Sequence, residues 1–450
     1  MHEIFKKIPL DSYNCEFIDI RIEEVKTTFI MNKNSELENA NELLTIGAFI
    51  RIKLPDKWVY KTLTDLSIIE QSIRQTLENE EIEPFKDKPD QIMYQCHERL
   101  IKQENLLVFQ SIQTKKQILD RSIQVINEEA KIINNALIYK DEYVKKYYIS
   151  TKGIQYVYDR ENVSVAASYT LKEGENVYNT NFNHSGHLAA DFDEFENNLR
   201  KDIQKACLFI NAPTVEPGKY TVILSEIAAG IFAHESFGHK SEADFMLGDE
   251  SMIKEWEIGK KTGSDILSIV DEGDIYGLRG YIPFDDEGNP AQKTYLIQNG
   301  ILKGRLHSDE TAKVLNEAVT GNARAISFFY EPIVRMSNTY IEAGTDTFES
   351  LIEKTDSGFY IENISHGSGL STFTLAVNRA WRIDKGKITD PVKINLITGT
   401  VFQTLKDIDG LSNEIKMISS TLGGCGKNQQ WPLPVSYGGP KVRVKEMMVS

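Results

Sequence analysis

Two histidines five residues apart, His234 and His239, lie inside a stretch that otherwise reads as helical, and this spacing constrains the local fold more than any other feature of the chain. The stretch runs from Glu226 to Met246 and carries the apolar segment Ile227-Ala228-Ala229-Gly230-Ile231-Phe232-Ala233 ahead of His234-Glu235-Ser236-Phe237-Gly238-His239. An α-helix turns once in about 3.6 residues, so side chains five apart diverge by about 140° and cannot share one ion. A π-turn, with hydrogen bonds from i to i+5, returns them to one face, and such bulges concentrate at functional sites. The sequence therefore predicts a helix that bends around its histidines, with Gly238 tolerating the distortion. The competing reading is a plain buried helix. It would leave two imidazoles and a carboxylate unpaired in an apolar setting.

His-Glu-x-x-x-His is one residue longer than the His-Glu-x-x-His pattern that places two zinc-binding imidazoles on one helical face. Two imidazoles make an incomplete site, since a catalytic zinc takes three protein ligands and keeps one open position. The third ligand could come from Glu242 or Asp244, from Glu250, Glu255 or Glu257, or from a distant residue. Among distant candidates Cys425 stands out, because Gly423, Gly424 and Gly426 let its backbone approach closely. A neighbouring Lys427 would help to deprotonate its thiol. Glu235, beside the first imidazole, is placed to act as a general base.

The rest of the chain bounds the setting. Its 450 residues exceed one ordinary domain. Segments such as Glu16–Glu23, Thr27–Met31 and Ile46–Ile52 alternate as strands do, and Leu63–Glu78, Gln113–Ala136 and Asp191–Lys205 have helical spacing. Strands are read at Glu142–Ser150, Gly153–Arg160 and Val163–Leu171, the last two joined by a short polar turn. Two prolines and a glycine at 213–218 mark a boundary, giving an N-terminal α+β domain at 1–210 and a second domain at 211–450. Beyond the metal-binding helix, short strands with frequent glycines read as antiparallel sheet. The fold class is α+β.

Fifty-one basic and 66 acidic residues give a net charge of −15, which opposes direct nucleic-acid binding. The segment Met1–Lys7 has no apolar stretch like a signal peptide's, and no window reaches the roughly 18 apolar residues of a membrane span. Cys15, Cys96, Cys207 and Cys425 lie far apart without a CxxC pair. A cytoplasmic protein without disulfides is expected.

The motif and its surroundings resemble the TldD/PmbA family of metallopeptidases, in its TldD branch. The likeness covers most of the chain. It is carried by Ala233–His239 with Glu242 and Asp244, by Pro283–Gly288, Leu296–Gly304, Thr320–Arg324 and Arg335–Thr339, and by Cys425-Gly426-Lys427-Asn428-Gln429. Asp19–Glu24 resembles the family's opening strand. The resemblance implies that His234, His239 and Cys425 bind zinc and that Glu235 is catalytic. It further implies cleavage of unfolded or extended peptides in a cavity enclosed between two subunits, as a homodimer or with a TldE/PmbA-type partner. A non-enzymatic zinc-containing partner subunit or peptide-binding regulator is the alternative. One departure is visible: the segment Ser365–Thr372 keeps two glycines, where the family commonly has a glycine-rich strand pair, and then runs Phe373–Asn378.

Lesser candidates have simpler readings. His184 and His187 have ligand-like spacing but read as a polar loop. His307 and His366 read as surface or loop residues, with contact to substrate as the alternative for His366. Asp285-Asp286-Glu287-Gly288 lacks the spacing of a calcium loop and reads as a turn. Arg324 and Arg335 could hold a peptide carboxylate or make structural ion pairs. Cys15, Cys96 and Cys207 read as apolar fillers.

Overall fold

Alternation in the first strand organises the N-terminal half. In β1 (Phe17–Lys33), Ile18, Ile20 and Ile22 alternate with Asp19, Arg21 and Glu23, so the two sets occupy opposite faces. Both sets are buried. The isoleucines pack with Ile50 and Ile52 of β2 (Glu36–Lys53) and with Ile69, Ile73 and Leu77 of helix α1 (Ile69–Asn79). The charged face meets residues 285–287 from the C-terminal half. Arg51 lies 2.6 Å from Asp19 and 2.7 Å from Glu287. Lys146, on β5 (Ile132–Ser150), lies 2.8 Å from Asp286 and 3.3 Å from Glu23. Tyr148 donates to Asp19 and to the Glu287 carbonyl, at 3.0 and 2.8 Å. Burial works against ionisation of Asp286, yet Arg21 and Lys146 overcome it and hold the carboxyl down at about 2. The polar half of the alternation is therefore an interface.

This computed structural model describes residues 3–101 and 104–450; Met1 and His2, at the head of the segment read for a signal peptide, lie outside the described residues. The N-terminal sheet runs β3-β2-β1-β5-β6-β4, with β7 also paired to β6. Here β3 is Trp58–Leu63, β4 Gln95–Arg99, β6 Ile154–Glu173 and β7 Asn176–Gly186. Helices α2 (Ile112–Asn127) and α3 (Phe195–Cys207) pack Ile118, Ile126, Leu199 and Ile203 against Leu137 and Val165 of the sheet. Two sequence expectations are corrected. The helix expected to reach Ala136 stops at Asn127, and β5 begins at Ile132. The turn expected between Arg160 and Val163 is instead the middle of one long strand, β6. Its polar residues are buried and most are paired: Arg160 lies 2.8 Å from Glu142, and Asp159 accepts from Tyr143 at 2.8 Å, while Asn162 Oδ1 has no partner among the described residues.

In the C-terminal half five strands close into a ring: β8 (Gly218–Leu224), Ser357–Gly369, Thr372–Asp384, Leu396–Thr400 and Val442–Val449. A second sheet of six short strands includes Asn338–Ile341, Lys416–Ser419 and Ser436–Gly439. Most pairings are antiparallel, but β8 runs parallel to Ser357–Gly369, and Asn338–Ile341 parallel to Ser436–Gly439. Helix α4 (Glu226–Phe232) packs between the ring and the second sheet. The α+β fold class read from the sequence is the one observed. Among the described residues, no helix is long and apolar enough to cross a membrane.

Removing one partner of a buried ion pair strands the other's charge. Arg51→Ala leaves Asp19 and Glu287 facing each other without their cation. The expected loss is about 3–5 kcal/mol of unfolding free energy in urea titration. A loss below about 1 kcal/mol, the range of exposed pairs, would mean that this face is hydrated.

Candidate metal centre

Helix α4 begins where Ser225 Oγ accepts from the Ala228 N–H at 3.2 Å. It continues as a π-helix over Ala233–Gly238 and ends in a 3-10 turn at His239–Ser241. The predicted bend is present and lies over the motif. It turns the two imidazoles together, with ring centroids 5.3 Å apart and planes at 78°. The part expected of Gly238 is different. Its φ of −58° is ordinary helical backbone. A Cβ there would overlap the sulfur of the buried Met336, so a side chain could enter only if Met336 moved.

Cys425 arrives from the strand Cys425–Lys427. One ligand atom from each of His234, His239 and Cys425 lies within 4.8 Å of the other two. The sulfur is 3.4 Å from His239 Nε2. The approach of this strand is fixed by its backbone. Arg335 donates to the carbonyls of Cys425 and Gln430, at 2.8 and 3.2 Å. A Cβ on Gly424 would lie 2.6 Å from the Leu433 carbonyl oxygen, so only glycine fits. Burial opposes ionisation of the Cys425 thiol, but the His234 and His239 imidazoles hold it well below its ordinary value. The thiolate is the form that binds a metal. Burial likewise opposes a charge on His239, and Cys425 and Glu242 push the imidazole up to about 11.

None of the five acids considered as a third ligand joins the cluster. Glu242 sits behind His239 instead, with its Oε2 3.1 Å from His239 Nδ1. It is fully buried, and its other oxygen accepts from the Met336 N–H at 3.3 Å. Lys427 does not act on the thiol as the sequence suggested. Its Nζ lies 3.1 Å from Glu242 and 2.6 Å from Asp244, and donates to the Val334 carbonyl at 2.9 Å. Lys240 takes up Glu255, at 3.1 Å. Such carboxylate–imidazole contacts fix ring orientation and tautomer in metal sites. The three-residue offset of Glu242 from His239 carried this signal in the sequence.

Glu235 is half-buried, and its Cγ lies 3.2 Å from where a Cβ on Gly367 would stand. The segment Ser365–Gly369, singled out by its glycines, thus borders the motif. A cavity of about 860 Å³ opens alongside, between β7 and α4, lined by Ile227, Ile231, Ser365 and Tyr437 on the side of the motif. His184 and His187 line its far wall. His184 belongs to strand β7, not to a loop, and its ring packs edge-on to Phe192. His187 is paired with Glu161. Among the described residues no second metal-like cluster forms.

Other expectations sort as follows. Asp285–Gly288 is a turn, and its carboxylates cap backbone and pair with cations of the N-terminal sheet. Arg324 and Arg335 are buried and hold backbone carbonyls, so neither is free for a peptide carboxylate. Cys96 is exposed on β4, not an apolar filler. His366 is exposed, on the strand Ser357–Gly369. His307 is not on the surface: it is buried, 3.1 Å from Thr311 and 3.0 Å from Glu317. Burial, with Arg305, pushes His307 down from 6.5 to about 4. A folded value below the unfolded one adds stability above pH 6.5 that is lost as pH falls toward 4. The stability advantage of wild type over His307→Gln, read from urea midpoints, is expected to shrink across that window.

Does this group of residues fit a metal? His234 Nδ1 is buried without a hydrogen-bond partner. An orphan of that kind costs about 1–3 kcal/mol unless a ligand meets it. Two imidazoles and a thiolate are a donor set that suits zinc. The residues fit.

Comparison with known proteins agrees. The profile described as PmbA/TldA metallopeptidase C-terminal domain matches residues 217–450. A metalloprotease of Synechocystis is 29% identical over 96% of this chain and 94% of its own length. A zinc metalloprotease TldD homolog of Saccharolobus solfataricus is 31% identical over 72% of this chain and 73% of its own. The crystal structure of TldE from Thermococcus kodakarensis has the same fold, with a TM-score of 0.77 at 16% identity over 97% of each chain.

Loss of a carboxylate behind a metal-binding imidazole typically weakens metal affinity about 10–100-fold. Glu242→Gln is expected to do so for zinc, measured by competition with a chromogenic chelator. Unchanged affinity would deny Glu242 its orienting part.

Proposed function

The chain belongs to the PmbA/TldD family of metallopeptidases, and we propose that it is a zinc-dependent peptidase acting on unfolded or extended peptides. His234, His239 and Cys425 would hold the zinc, and Glu235 would be the general base. The observation that carries this reading is the convergence of two imidazoles and one thiolate, within 4.8 Å, beside a half-buried carboxylate. Zinc bound there supplies Lewis acidity, acidifying water and polarising a peptide carbonyl.

The chain's own residues supply the rest. Glu235 follows the first imidazole on the π-helix and is half-buried, so its carboxylate can take a proton from an attacking water and return it to the departing amine. Glu242 orients His239, and Arg335 fixes the backbone that carries the thiolate. The ligand set has three members among the described residues, which suits a catalytic zinc with one open position. A non-enzymatic zinc-containing subunit or peptide-binding regulator would instead require a closed fourth ligand.

The remaining assignments are part of the same proposal. We take residues 1–210 and 211–450 as two domains, the peptide site as enclosed between subunits, and the protein as cytoplasmic. Its partner would be a second copy or a TldE/PmbA-type subunit, a reading supported by the likeness to TldE. Direct nucleic-acid binding is not part of it, given the net charge of −15.

Glu235→Gln keeps the size and shape of the side chain and removes the base. Cleavage of denatured casein is expected to fall at least about 10²–10⁴-fold, with zinc content by elemental analysis unchanged. Undiminished turnover in that variant would remove the mechanism.

A further inference from the structure

One side chain lies between the metal cluster and the cavity and has no assigned task. Tyr437 belongs to the short strand Ser436–Gly439, held between Asn338–Ile341 and Lys416–Ser419. Its flanks are pinned: the Ser436 hydroxyl accepts from the Arg279 N–H at 3.1 Å and meets Ser419 Oγ at 2.6 Å. Its ring packs against α4, where a Cβ on Gly230 would lie 3.0 Å from Tyr437 Cδ2. The ring centroid is 5.9 Å from that of His234. The same residue lines the 860 Å³ cavity, together with Ile227 and Ile231.

The tyrosine is thus held between His234 and a cavity whose lining includes Tyr437 but none of His234, Glu235, His239 and Cys425, and its hydroxyl takes no hydrogen bond among the described residues. Tyr139, Tyr148 and Tyr169 commit theirs, to Asp141 at 2.7 Å, Asp19 at 3.0 Å and Asp202 at 2.5 Å. Tyr13 and Tyr158 also leave theirs unpaired, but both are sealed in the interior and neither lines the cavity. A phenol held in place, unpaired and on a cavity wall is a donor available to something that enters the cavity. Tyrosine hydroxyls serve as such donors to oxygens that become negative during acyl transfer.

Resting on the peptidase reading above, we propose that the Tyr437 hydroxyl is a catalytic group that donates a hydrogen bond to the carbonyl oxygen of the scissile peptide as negative charge develops there. In the addition step the water oxygen bonds to the carbonyl carbon, and Glu235 takes one of the water protons. In the second step the C–N bond breaks, and that proton passes to the amine nitrogen. The phenol keeps its own proton throughout. An ordinary phenol is protonated at neutral pH, so it is a donor there.

The test compares wild type, Glu235→Gln and Tyr437→Phe, each full-length and loaded with zinc, on a fluorogenic peptide derived from denatured casein. Phenylalanine keeps the ring against His234 and α4 and removes only the donor. The expected result is a fall in kcat of about 10²–10³-fold in Tyr437→Phe. KM, zinc content and melting temperature stay as in wild type, the pattern of a contact made only in the transition state. Unchanged kcat overturns the role, and so does an effect confined to KM or a loss of zinc. These outcomes leave the peptidase reading standing as long as Glu235→Gln is inactive. A zinc-loaded wild type without activity, or an active Glu235→Gln, overturns that reading and the role of Tyr437 with it.

Discussion

Lys427 Nζ lies 3.1 Å from Glu242 Oε2 and 2.6 Å from Asp244 Oδ1, and this contact joins two parts of the chain that are far apart in sequence. Lys427 follows Cys425 by two residues, and Glu242 follows His239 by three. The ion pair therefore ties the strand that brings the sulfur to the helix end that brings the imidazoles. Lys427 and Glu242 are both buried, so neither can exchange its partner for water without a penalty of several kcal/mol. Glu242 carries the constraint onward, because the oxygen that meets Lys427 also holds His239 Nδ1. One buried charge pair thus sets both the separation of the ligand segments and the aim of one ligand ring.

The same rule operates on a larger scale between the halves. Arg21 on β1, Arg51 on β2 and Lys146 on β5 are shared between Asp19 and Glu23 of their own sheet and Asp286 and Glu287 of the other half. The loop leading to Cys425 is also anchored on the N-terminal sheet: Thr421 donates its N–H to Ser164 and its hydroxyl to the Lys140 carbonyl, each at 2.9 Å. The N-terminal sheet therefore does more than cover a surface. It holds the approach of the thiolate.

Much of this could be read in the sequence, and the limits have physical causes. The π-helix followed from one geometric fact, that residues five apart miss each other on an α-helix, and needed no tertiary information. Cys425 was singled out by its glycines, and Gly424 does prove to be a close-approach position. The partners of Lys427 could not be read, because a lysine beside a cysteine in sequence says nothing about which acids fold over it. Nor could the join between Arg160 and Val163, where polar residues imitate a turn until their partners across the sheet are known. Tyr437 gave no signal. Its neighbours in sequence are ordinary, and only the fold sets it between His234 and the cavity.

Met336 shows how closely the ligand helix is registered against its support. Its sulfur occupies the space a Cβ would take at Gly238, its N–H donates to Glu242 at 3.3 Å, and its carbonyl accepts from Arg324. A side chain at 238 would displace the Met336 sulfur, and Met336 is bonded through its N–H to the same carboxylate that holds His239. Gly238 therefore protects ligand geometry through packing, although it sits in unstrained helical backbone. Interiors packed at crystal-like density transmit such displacements because they have few voids to absorb them. The requirement for glycine before the second histidine is thus a requirement on volume, and its consequences fall on the orientation of the imidazole.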